Sequence, residues 1–271
     1  MEKNTYIGLT NKIKVKNDLI IKNYKIKKND YLDKKNEFEV LNVLKSIDQN
    51  VIIKAEKMVL KKTKLISYFK ILEGYLNLSN VEIEDFHVRK VTELINSFHK
   101  IKDERINSLK QFNYKSTLDY FYKKIKKPFF NLDKYYKNIV LKIDTVKGLK
   151  KVLSHNDLVP GNIMFKDDDF ILIDYDFITL NDKFFDYASF ITETLNDNEE
   201  NIKIFINQLI KKRMILLDKS ELDKLNFVIK YQDLLWTLWA NYMYENKGDE
   251  IYKEIYSNKF DRLKNRKPIT F

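Results

Sequence analysis

Short runs of apolar and β-branched residues at Lys12–Lys16 and Leu19–Tyr24, joined by the turn signal Asn17-Asp18, predict a β-hairpin. The period then changes. Val40, Leu41, Leu44 and Ile47 recur at helical spacing in a segment from about Lys35 to Ile47. Val51–Ile53, Met58–Leu60 and Leu65–Leu72 read as further strands, the last running into Glu73-Gly74. Beyond Gly74 helical spacing dominates. Val88, Val91, Leu94, Ile95 and Phe98 line one face of a segment ending at His99, and the lysine- and aromatic-rich stretch from about Ser116 to Lys147 reads as helical. Phe184–Leu195, Ile202–Leu217 and Leu222–Tyr244 are the remaining long helical candidates. Between them, Asn162–Phe165 and Phe170–Ile173 predict a second hairpin across the acidic turn Asp167-Asp168-Asp169. There is no internal repeat. The expectation is an α+β chain with a small sheet-containing lobe over 1–74 and a larger, mostly helical lobe over 75–271.

Composition narrows the function classes. With 44% hydrophobic and 33% charged residues over 271 positions, the chain is globular rather than disordered. It has no cysteine, which excludes disulfide frameworks, thiolate metal sites and cysteine nucleophiles. No apolar run approaches the roughly 20 residues that span a bilayer, and the opening MEKNTYIG lacks the apolar stretch of a signal peptide. A cytoplasmic protein without an integral membrane segment is expected. The net charge of +11 raises the question of nucleic acid, but only five basic residues are arginine and the lysines alternate with acids along most of the chain. Abundant Lys, Asn, Ile, Tyr and Phe with little Gly, Ala or Pro point instead to a compositional bias, so no nucleic-acid partner is expected.

The densest polar cluster is LSHNDLVPGNIMF, from Leu153 to Phe165, and it contains Gly161, one of only five glycines. The second strand of the following hairpin ends in ILIDYDF, with Asp174 and Asp176 at its tip. A hairpin that starts at Asn162 and ends at Asp174 brings those two side chains to one end. Both supply hard oxygens suited to Mg²⁺, which takes few protein ligands beside substrate phosphates. Asp157, five residues before Asn162, is placed to accept a proton from an alcohol attacking a phosphoryl group. Base, metal ligand, metal ligand is the order found in protein-kinase-like phosphoryl transfer. His155 reads as a brace for the loop.

HNDLVPGN at 155–162 and LIDYD at 172–176 resemble the catalytic and metal-binding motifs of aminoglycoside phosphotransferases and choline/ethanolamine kinases. That resemblance implies a two-lobed protein-kinase-like fold, ATP and Mg²⁺ as cofactors, Asp157 as catalytic base, and Asn162 and Asp174 as the metal ligands. It extends to weaker flanking segments. Gly8-Leu9-Thr10-Asn11 is similar to the phosphate loop of choline kinases, Lys22 stands where the family keeps a basic residue against the α- and β-phosphates, and Glu37 where its helix glutamate partner belongs. FKILEG, ending at Glu73-Gly74, resembles the linker whose backbone meets adenine, and the segment through DYASFITE matches in outline, with Asp186 as support and Glu193 near the acceptor. Lysine at 22 keeps the charge of the commoner arginine and loses its fork. Tyr175-Asp176 leaves no glycine for a movable switch after the metal ligand.

The acceptor is a small molecule whose identity rests on fewer residues. Trp236 and Trp239, the only tryptophans, lie i,i+3 on one helix face. Such a pair either fills a core or walls a site for a quaternary ammonium, with Asp176 and Glu193 adding negative charge. The pair resembles the tryptophan segment of choline kinases, and Tyr256 in the tail resembles the tyrosine of their cage. These matches imply choline, ahead of ethanolamine, thiamine or an aminoglycoside; a catalytically inactive binding module is the non-enzyme alternative. Oligomeric state stays open.

Overall fold

The structure, a computed structural model, describes residues 12–27 and 30–270. Strands β1 (Lys12–Lys16) and β2 (Leu19–Lys25) form the expected hairpin. Asn17 and Asp18 both take positive φ, 49° and 57°, as a two-residue turn matched to strand twist requires. With β3 (Ala55–Lys61) and β4 (Lys64–Lys70) they make an antiparallel sheet in the order β1-β2-β4-β3. Helix α1 (Lys34–Lys45) is capped by Asp33, whose carboxylate accepts from Asn36 N–H at 3.1 Å, and it buries Val40, Leu41 and Leu44 against the sheet. Val51–Ile53, expected as a strand, is not one. Ile52 forms a single parallel bridge to Leu172, and the flanking backbone groups bond to Leu172 as well, so this segment ties the sheet region to the helical region.

Helix α2 (Asp85–His99) buries the five apolar residues its spacing predicted. The expected 116–147 helix splits into α3 (Tyr114–Lys124) and α4 (Asp133–Lys142), because Pro128 disfavours helical backbone at the residue before it. Short β5 (Leu76–Asn77) pairs with β7 (Ile163–Lys166), which forms the second hairpin with β8 (Asp169–Leu172). A pairing without a clear sequence signal joins β6 (Lys151–Ser154) to β9 (Thr179–Asp182). Both are four residues long, and β9 is buried throughout, so no in–out alternation marks it. Helix α5 (Lys183–Ser189) continues into a π-helical turn, Phe190–Thr194. Helices α6 (Glu199–Lys211), α7 (Lys219–Lys247) and α8 (Ile251–Asn265) complete the chain, with α8 packed along α7. Gly248, at φ 80°, ends α7 in the left-handed cap that glycine favours. Among the described residues no helix is long and apolar enough to cross a membrane.

Candidate active site

Strand alternation turns Lys22 toward the helical region, where it is buried. Its Nζ donates to Glu37 Oε1 at 3.1 Å, Asp174 Oδ1 at 2.6 Å and Asp176 Oδ1 at 2.5 Å. Glu37 comes from the first turn of α1 and the aspartates from the turn after β8, so one ammonium joins three elements. Burial alone would lower the pKa of Lys22, but the three carboxylates outweigh it and hold the amine well above its ordinary value. Lys34, one turn before Glu37, donates to Glu37 Oε2 at 2.7 Å and Asp176 Oδ1 at 2.6 Å, and lies 4.1 Å from the centroid of the Tyr24 ring. It is 2% exposed. The only sequence signal for it was the i,i+3 spacing from Glu37. Asp176, expected beside the acceptor, is placed as a counter-ion to two lysines. Burial opposes its ionisation, yet Lys22 and Lys34 hold its carboxyl well below the usual range.

Asp174 and Asn156 adopt φ of 62° and 63°, a conformation that Asp and Asn tolerate because their short side chains bond locally. Asn156 Nδ2 donates to the carbonyl of Phe177 and to Thr179 Oγ1, both at 2.8 Å, which fixes the loop before Asp157. His155 Nε2 lies 2.9 Å from the carbonyl of Ile173; an acceptor there assigns the proton to Nε2. The histidine thus braces the loop, as expected, against the residue preceding Asp174. Asp186 accepts from the backbone N–H of His155 at 3.0 Å and of Asn156 at 2.7 Å, and pairs with His99 Nε2 at 2.7 Å. Burial pushes the Asp186 carboxyl up, but its partners, His99 foremost, hold it below the ordinary value.

Asn162 Nδ2 donates to both the backbone carbonyl and Oδ2 of Asp157, each at 2.9 Å. Burial, with the charges of Asp174, Glu193 and Asp176, pushes the Asp157 carboxyl up to about 8, against the Asn162 hydrogen bond. Asn162 Oδ1 and the second carboxylate oxygen of Asp174 have no protein donor among the described residues. Two such hard oxygens suit Mg²⁺, which completes its shell from water and phosphate. Among the described residues no three His, Cys, Asp or Glu side chains are arranged to hold a metal ion by themselves.

Glu193 lies in the π-helical turn, and Lys259 from α8 donates to both its oxygens, at 2.6 and 2.5 Å. The tryptophan rings stand at 90° with centroids 6.1 Å apart, and their environments differ. Trp239 is 8% exposed and packs against Tyr252 at 5.6 Å. Trp236 is half-buried and meets Phe177 edge-on at 5.7 Å. Phe177 directly follows Asp176 and was not singled out from the sequence. Tyr256 is buried against Phe129 at 4.8 Å and Phe260 at 5.7 Å, without ring contact to either tryptophan. Glu73 is exposed in the linker after β4. Gly8, Leu9, Thr10 and Asn11 lie outside the described residues.

Residues 132–207 match the model of the phosphotransferase enzyme family, APH. Protein LicA of Haemophilus influenzae is 26% identical over 189 residues, covering 66% of this chain and 50% of one LicA sequence or 64% of another. The match therefore spans about half to two thirds of those relatives. Among solved structures, choline kinase LicA from Streptococcus pneumoniae superposes with a TM-score of 0.75 at 17% identity, over 97% of this chain and 94% of that one. A choline/ethanolamine kinase family protein from Mesorhizobium loti gives 0.75 at 16% identity, over 97% and 87%. An amicoumacin kinase in complex with AMP-PNP and Ca²⁺ gives 0.67 at 12% identity, over 99% and 89%. Thus residues 132–207 resemble the APH phosphotransferase family, and the chain as a whole shares the fold of these kinases.

Proposed function

We propose that this protein transfers the γ-phosphoryl group of ATP to the hydroxyl of choline, giving phosphocholine. The observation that carries the reading is the Asp157–Asn162 pair set within the field of Asp174, itself bonded to the buried Lys22. Asp157 receives the proton of the acceptor hydroxyl as its oxygen attacks phosphorus; a base whose pKa lies near the working pH is best matched to that transfer. Lys22 orients phosphate oxygens, while Glu37 and Lys34 keep the ammonium in place. Asn162 and Asp174 hold Mg²⁺, which when bound offsets negative charge on the transferring group. The likeness of Gly8–Asn11 to a phosphate loop assigns them to the nucleotide by sequence alone, and the linker at Glu73 offers its backbone to adenine.

Choline suits the acceptor side on chemical grounds. Trp236 and Phe177 present half-buried rings that attract a quaternary ammonium, and Trp239 backs Trp236. The choline kinase among the structural neighbours favours the same acceptor. ATP as the phosphoryl donor supports a cytoplasmic location. The test is an ADP-release assay with Mg²⁺ and ATP across choline, ethanolamine, thiamine and kanamycin. Turnover on choline, absent in Asp157→Asn, is expected. Turnover only on another acceptor removes the choline assignment, and silence on all four removes the enzymatic one.

A further inference from the structure

The described antiparallel sheet has two unlike faces. Registers place Lys22, Tyr24, Leu65, Ser67 and Phe69 on the buried side. The other side collects lysines from every strand. Lys12, Lys14 and Lys16 come from β1 and Lys25 from β2. Lys64 and Lys70 come from β4, and Lys57 and Lys61 from β3. Cross-strand partners confirm the shared face: Lys14 pairs with Ile21, Ile21 with Tyr68, and Tyr68 with Lys57. Between the lysines lies a strip of half-exposed apolar side chains, Leu19, Ile21, Val59, Ile66 and Tyr68.

No carboxylate sits within these rows. Glu56, at the β3 bulge, reaches only Lys70, at 3.7 Å. In the linear sequence the lysines are interspersed with other residues, but the two-residue period of strands sorts them to one side. The imbalance is regional. Residues 1–74 contain seventeen lysines, no arginine and nine acids, which accounts for +8 of the net +11.

We infer that this sheet face docks on anionic phospholipid surfaces. Charge complementarity supplies the attraction, since lysines near an anionic leaflet each contribute to binding. The apolar strip, with Tyr68 in it, suits the boundary between headgroups and acyl chains, where lysine stems lie along apolar surface and their ammonium groups reach phosphate. Nucleic acid fits less well, because no arginine on this face offers a bidentate fork and a single tyrosine makes no stacking platform. Docking through this side leaves the cleft at Lys22 unobstructed, since Lys22 lies on the opposite face.

Co-sedimentation of the full chain with vesicles tests the inference. The protein should sediment with phosphatidylcholine vesicles containing phosphatidylglycerol, stay in solution with phosphatidylcholine alone, and release in high salt. Combined Lys14→Gln, Lys57→Gln and Lys61→Gln should weaken binding roughly a hundredfold, at about fivefold per lysine. A control with the same charge loss in the helical region, Lys134→Gln, Lys137→Gln and Lys147→Gln, should keep near-normal binding. ADP release in free solution should be unchanged in both variants. No sedimentation with anionic vesicles at low salt overturns the inference, as does equal loss in the control. Preferential binding to an oligonucleotide competitor would replace lipid with nucleic acid as the partner and also overturn it.

Discussion

The ammonium of Lys34 stands 2.6 Å from Asp176 Oδ1, the same oxygen that receives Lys22 at 2.5 Å. Lys34 is thus the second cation of a buried cluster in which two lysines face three carboxylates. Without it, Lys22 alone would balance Glu37, Asp174 and Asp176. Lys34→Met should therefore cost about 3 kcal/mol in urea unfolding, because it leaves Glu37 and Asp176 buried and undercompensated. It should also raise the KM for ATP, as Lys22 is drawn further toward the carboxylates. Lys34→Arg, which keeps the charge, should recover much of both. Equal stability of the methionine variant and wild type would contradict this reading of the cluster.

Asp157 shows the opposite balance, a carboxylate placed where three others crowd it. Asp157→Asn removes the proton acceptor and the repulsion together. Turnover should fall by about 10³-fold, while stability without ligands should rise by about 1 kcal/mol. Nucleotide affinity should change little. Parallel kinetics, calorimetry and thermal melts separate these effects; a variant that loses turnover only because it unfolds would show a lower melting temperature instead of a higher one.

Acid should loosen the loop around Asp157 through His155. Burial holds the imidazole pKa below its ordinary value, despite the opposing charge of Asp186. The folded protein keeps His155 neutral while the unfolded chain takes a proton below about pH 6.5. This contribution to stability is complete above that pH and is lost as pH falls from there through the lower folded value. Asp186, held below its ordinary value, adds a second loss at more acid pH. His155→Gln retains a donor for the Ile173 carbonyl and should flatten the decline that begins near pH 6.5 in denaturation curves. An unchanged pH profile would assign the acid sensitivity elsewhere.

The two tryptophans should separate on mutation. Trp239→Ala opens a cavity beside Tyr252 and should cost about 3–5 kcal/mol. Trp236→Ala removes a half-buried ring next to Phe177 and should leave the fold intact while raising the acceptor KM roughly tenfold. If Trp236→Ala changed stability and left KM alone, the ring would be packing rather than recognition.

Much of this arrangement was legible in the chain because its signals are local. The turn Asn17-Asp18, the apolar spacing of α2 and the eleven residues between Asn162 and Asp174 each follow from short-range geometry. Lys34 was missed because a lysine at a helix start reads as a solvated charge until Asp176, 142 residues away, joins Glu37 beside it. Phe177, and the pairing of Lys259 with Glu193, were obscured for the same reason, since the partners lie far apart in the chain. The β6–β9 pair failed to register because a short strand buried on both sides has no alternation to detect. Asp176 illustrates a different limit: the carboxylate was evident, but its pairing with two lysines depends on how β2 and α1 sit over β8.

The most direct test of the account is to follow the γ-phosphoryl group itself, incubating the protein with γ-labelled ATP, Mg²⁺ and choline and identifying the labelled product. The account predicts labelled phosphocholine from the wild-type chain and almost none from Asp157→Asn. Label released only as inorganic phosphate, or phosphocholine formed equally well by both proteins, would contradict it.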